Sequence, residues 1–138
     1  DGVLVDQSNF ENELAAVLRS KGRMEEAMEQ YEIALATSID AGVLIDTALN
    51  LRALAELHAE EGNAKECRLF LSRYEEAAKG DPVQCQLHLH VSAWCEQQLF
   101  LHDDDESHLV QAIDYCKASL RYMEQNRAAL ERAIRQGK

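Results

Sequence analysis

Proline occurs once in the 138 residues, at Pro82. Along the rest of the chain no helix is interrupted by a missing backbone donor. Threonine stands only at positions 37 and 47 and valine is sparse, so a β-sheet would lack its usual β-branched material. Aromatic residues make up 6% of the chain, which leaves aliphatic and small side chains to build the core. No apolar run approaches the ~18 residues of a membrane span, and no signal peptide opens the sequence. The opening at Asp1 reads as that of a trimmed chain or a fragment. The four cysteines, Cys67, Cys85, Cys95 and Cys116, form no CxxC pair. They read as reduced, buried, small apolar residues, which points to an intracellular compartment, cytoplasmic or nuclear. Catalytic signatures are absent as well: there is no Gly-rich phosphate loop, no HExxH and no GxSxG. A non-enzymatic role without a cofactor is expected.

Cations are scarce and unevenly placed. Residues 1–116 hold 8 Lys and Arg against 23 Asp and Glu, a net −15, whereas residues 117–138 carry +4. An acidic body repels nucleic acid and anionic membrane and favours a basic or neutral protein partner, although solubility alone would also account for the charge. Glu124 and Glu131 interrupt the basic tail, which is too short for a nucleic-acid arm.

Ala, Leu, Glu, Gln and Arg, all good helix formers, dominate the chain. The class is therefore all-α. Ser8 with Glu11 has the form of a capping box and predicts a first helix to about Ser20, with Phe10, Leu14, Val17 and Leu18 as its apolar stripe. Gly22 closes it. A second helix starts near Arg23 and carries Met24, Ala27, Met28, Tyr31, Ala34, Leu35 and Ser38 up to Gly42. The third spans about 43–61 on a stripe of Leu44, Ala48, Leu51, Leu54, Ala55 and His58. Asn63 with Glu66 caps a fourth, through Cys67, Phe70, Leu71 and Tyr74 to Gly80. Asp81-Pro82 opens a fifth, ending near Leu101. After the polar loop 102–107, one long helix is predicted over about 108–136. Ile113, Cys116, Leu120, Met123, Arg127, Leu130 and Ile134 form its coiled-coil-like seam.

These helices repeat. Leu14, Leu54 and Trp94 are spaced by 40 residues and are followed by Ala15, Ala55 and Cys95. The same step takes Gly22 to Gly62, Ala27 to Cys67 and Tyr31 to Leu71. In the third unit the second-helix offset grows to 45 (Cys67 to Ala112, Leu71 to Cys116), which puts five extra residues in the acidic loop. The units fall at about 8–42, 43–80 and 82–122, with residues 123–138 as a C-terminal extension of one domain.

The run Leu14-Ala15-x-x-Leu18-x-x-x-Gly22-x-x-x-x-Ala27-x-x-x-Tyr31-x-x-Ala34-Leu35 resembles the tetratricopeptide repeat (TPR) family, a helix–turn–helix of about 34 residues. Residues 54–74 keep its spacing with substitutions, and residues 94–120 match it only in part. The period of 40 is similar to that of long-helix TPR proteins in polarity adaptors, kinesin light chains, peptide-responsive bacterial regulators and multi-subunit complexes. The resemblance implies an α-solenoid of three antiparallel hairpins whose first helices line a concave groove for a partner segment. It implies a scaffold or adaptor. A regulatory sensor taking a peptide or small ligand is the alternative. One subclass clamps chaperone C-terminal carboxylates with Lys and Asn. The corresponding positions here, Asn12, Ala16, Leu49, Ala53 and Asn50, hold no cation, so that ligand is not expected. Candidate groove residues are Asn12, Glu13, Ala16, Arg19, Arg52, Glu56, Ser92 and Glu96. Leu130 and Ile134 are candidates for self-association, giving a homo-oligomer or a larger complex.

Two constellations carry other chemistry on paper. Cys85, His88, Ser92 and Cys95 share a helical face, but seven residues separate His88 from Cys95 by about 10.5 Å along a helix, too far for one zinc. Asp103-Asp-Asp-Glu106 lacks the glycine and ligand spacing of a calcium loop and reads as a solvated turn. Met24, Met28 and Met123 at helical spacing read as core filler. No metal is expected.

Overall fold

The computed structural model describes residues 2–137, and among them regular structure is entirely α-helical. Seven helices follow one another: α1 (Gly2–Ser20), α2 (Met24–Ala41), α3 (Leu44–Glu60), α4 (Ala64–Ala78), α5 (Pro82–Asp103), α6 (Ser107–Gln125) and α7 (Arg127–Arg135). The turns sit where the glycines predict them. Gly22 and Gly62 adopt φ of +78° and +79°, a region that strains any residue with a Cβ. At Gly62 a Cβ would also stand 2.8 Å from His102 Nδ1. That imidazole bonds the Glu60 carbonyl and so ties the end of α5 to the end of α3. Asp81 caps α5 by accepting from the Val83 and Gln84 amides, with Pro82 in the first turn. Asn63 occupies the N-cap of α4 without a side-chain cap bond; its amide pairs with His58 Nδ1 instead.

Adjacent helices pair as α1/α2, α3/α4 and α5/α6, and each pair packs on the next through α1 and α2 on α3, then α3 and α4 on α5. No Cα approach within 8 Å joins α1 to α5, α2 to α4 or α4 to α6 among the described residues. Small residues make the close contacts: Ala15, Ala27, Ala55, Cys67 and Cys95 are fully enclosed. A side chain of that size lets helix axes reach the near end of the ~8–10 Å range. Central α3 is buried on several sides, through Ala48, Leu51, Ala53, Leu54, Ala55, Leu57 and Ala59. Tyr74, Leu54, Leu57 and Leu99 are the bulkiest of the fully buried apolar side chains.

Three expectations are corrected. The first helix begins at Gly2, well before Ser8. Ser8 is not a cap: it lies buried inside α1 and donates to Asp46 Oδ2 at 2.9 Å. The inward line of α1 is Leu4, Ser8, Glu11, Ala15 and Leu18, so Phe10 (70% exposed), Leu14 and Val17 point outward. A buried polar pair across helices has turned α1 away from its most apolar stripe. Third, the long terminal helix is broken. Asn126, at φ −119°, sends its side-chain amide to the Tyr122 carbonyl at 3.0 Å, the same oxygen its backbone N–H reaches. The helix stops at this residue, whose φ departs from the helical value, and α7 folds back onto α5. The predicted seam is thereby split: Ile113, Cys116, Leu120, Met123 and Ile134 are exposed, and Leu130 is buried.

Candidate functional site

Helices α1 and α3 run parallel, because their side chains pair at a constant offset of 38: Ser8 with Asp46, and Asn12 Nδ2 donating to Asn50 Oδ1 at 2.5 Å. About two turns further, Arg19 donates to Glu56 at 3.0 Å and to Glu60 at 3.1 Å, and Arg52 reaches Glu56 at 3.3 Å along its own helix. Both partners of each pair are partly shielded from water. Screening is weaker there than on an open surface, so the pairs orient one another more than an exposed bridge would. Above them lies an open cleft of about 210 Å³, lined by Asn12, Arg19, Tyr31, Leu49, Arg52, Ala53 and Glu56.

Four of the sequence-chosen residues, Asn12, Arg19, Arg52 and Glu56, meet in this cleft. Glu13 and Ala16 are exposed on α1 beside it. Ser92 and Glu96 are not available to a partner. Ser92 is fully enclosed and its hydroxyl donates back to the His88 carbonyl at 2.8 Å, while Glu96 is buried under α4 and α6. The cleft lining sets two guanidiniums, Arg19 and Arg52, beside one carboxylate, Glu56, although the chain is acidic; Glu60, outside the lining, also pairs with Arg19.

Around Glu96 the chain builds a second polar cluster. Arg68 of α4 grips Glu96 of α5 with Nη2 at 2.7 Å and Nε at 3.2 Å from Oε1. His108 of α6 places Nδ1 3.4 Å from Glu96 Oε2 and 3.3 Å from Arg68, and Nε2 2.9 Å from Asp103 Oδ2. Three helices meet on these four side chains. Asp103, Asp105 and His108 bring their potential ligand atoms within 4.8 Å. Asp103 and Asp105 already accept from the Asp105 and Ser107 amides, and those bonds hold the turn. The sequence signal for this cluster was Glu96 itself. It sits on the line Ser92, Cys95, Leu99 that the fold buries, and a buried carboxylate requires a cation. Elsewhere on α5, His88 bonds the Leu71 carbonyl and meets the Tyr74 ring edge-on at 5.5 Å, so it serves packing.

Burial opposes the charge on His108, but its bonds to Asp103 and Glu96 outweigh that, and its pKa stands above the ordinary 6.5. The folded state then holds a proton that the unfolded chain releases first. This stabilisation is complete below about pH 6.5 and is lost as pH rises through the raised value. His88 acts oppositely: burial lowers its pKa, so its cost appears as pH falls below 6.5. Wild type compared with His108→Gln isolates the first effect. Chemical unfolding between about pH 6 and 9 should show the wild-type advantage shrinking as pH rises. A constant difference would remove His108 as its source.

Neither a family model, nor a curated protein, nor a solved structure matches the chain. No described helix is long and apolar enough to cross a membrane.

Proposed function

We propose that this chain is a non-enzymatic protein-interaction scaffold: three stacked TPR-like hairpins that order a segment of a partner protein along α1 and α3, within a larger assembly. The observation that carries this reading is the gathering of Asn12, Arg19, Arg52 and Glu56 in one open cleft between successive first helices. Two features support it. Each helix pair packs only on its neighbours, as in an array that presents an extended face. The small residues that recur with the repeat are fully enclosed at the crossings. Asn12 and the two arginines offer donors to a peptide backbone, Glu56 offers an acceptor, and the net −15 of residues 1–116 favours basic or neutral segments over acidic ones.

The test is a panel of unrelated linear peptides of graded charge, titrated against wild type and Arg52→Ala. Basic or neutral peptides should bind, with about tenfold weaker affinity for Arg52→Ala and a further loss in about 0.5 M salt. Binding indifferent to both changes, or confined to acidic peptides, would refute the reading.

A further inference from the structure

The two ends of the stack carry uncovered apolar surface of opposite charge. On α1 the outward stripe is Val3, Phe10, Leu14 and Val17, all exposed. Asp6 and Glu13 flank Phe10 one turn away on either side, and residues 2–20 are net −2. At the other end, α7 lies on α5 and leaves a groove of about 300 Å³ lined by Val83, Gln86, Met123, Arg127, Leu130 and Ile134 with Glu131. Leu130 is buried, whereas Met123 and Ile134 remain exposed. This end belongs to the stretch 117–138 that carries +4. Among the described residues, Arg127 makes no ion pair within the chain and Asp6 and Glu13 make none either.

We propose that the occupant of the α5/α7 groove is the α1 stripe of a second copy of this chain, with Phe10 as the side chain that enters it. The groove is ample for a phenyl ring, and Asp6 and Glu13 of the incoming α1 approach Arg127 on the groove lining, within the stretch 117–138 whose net charge is +4. Opposite charges on the two ends favour this head-to-tail contact over contacts between like ends, two α1 faces or two basic tails. The contact also extends the order inside the chain, where each helix pair rests on the next. Since the surfaces that meet are different, the association is heterologous and grows beyond a dimer. It does not depend on the cleft between α1 and α3.

Phe10→Glu and Ile134→Glu change one end each, at side chains whose exposure keeps the fold intact, which circular dichroism would verify. Sedimentation across a range of protein concentrations should show wild-type mass climbing past that of a dimer. Each variant alone should associate at least about tenfold more weakly. Mixed together, the two variants retain one sound end each and should form a one-to-one complex that grows no further. A wild type that stays monomeric throughout, or a mixture that does not associate, overturns the proposal. So does Phe10→Glu that self-associates like wild type while Ile134→Glu does not, because that pattern belongs to a symmetric pairing of two α7 ends.

Discussion

Arg68→Ala should lower the unfolding free energy by about 2–3 kcal/mol, because it strands a carboxylate that the fold has already buried. The Glu96 side chain is only 4% exposed, and Arg68 supplies its close contacts at 2.7 and 3.2 Å. Without the guanidinium, Glu96 keeps only the longer approach of His108 at 3.4 Å. A fully buried pair broken this way costs about 3–5 kcal/mol. The figure here is smaller because half of the Arg68 side chain meets solvent, and water can follow into its place. The variant Glu96→Gln separates lost charge compensation from lost packing. In that background Arg68→Ala should cost well under about 1 kcal/mol, since no buried charge is left unpaired. Urea unfolding at pH near 7 measures all four species. Equal costs in the two backgrounds would mean that Arg68 acts through its aliphatic stem, not through Glu96.

That cluster marks the limit of what the residues disclose in order. Local signals were sufficient for the turns: Gly22 and Gly62 demand a left-handed backbone, and Asp81 with Pro82 makes a cap that needs no distant partner. The enclosed small residues were marked by the spacing of 40: Ala15 and Ala55, and Ala27 and Cys67, are all fully buried. What escaped is non-local. Ser8 has the chemistry of a cap and acquires a different role only because Asp46, 38 residues on, turns to meet it. Glu96 shows on sequence only its place on the line of Ser92, Cys95 and Leu99; its partners Arg68 and His108 arrive from two other helices. Of the predicted groove, the part on α1 and α3 came together because first helices pack in parallel, so equal spacing becomes equal height. The part on α5 did not, because Ser92 and Glu96 are buried, Glu96 beneath Arg68 of α4 and His108 of α6. The break at Asn126 is a departure of a single residue from helical backbone, at φ −119°. Hydrophobic periodicity runs straight through it.

Leu54→Ala should cost about 3 kcal/mol, whereas Leu14→Ala, its equivalent one repeat earlier, should cost less than about 0.5 kcal/mol. The sequence treats the two leucines as the same position, each ahead of an enclosed alanine. The fold does not. Leu54 is fully enclosed in central α3, where helices from the first, second and third pairs press on it, and truncation leaves a cavity that its packed neighbours cannot fill. Leu14 is 50% exposed on α1, which has packed neighbours on one side only. The difference between the two costs therefore measures what a neighbouring helix pair adds at a repeat position. Denaturant unfolding at a dilution where association is negligible reads it directly. Equal losses would show that α1 is covered even in the isolated chain, which the exposure of Phe10, Leu14 and Val17 contradicts. At high concentration the comparison changes meaning. If α1 becomes the buried face of a head-to-tail contact, Leu14→Ala should weaken association and lower apparent stability at high concentration while costing little at dilution, which separates its effect on assembly from its effect on folding.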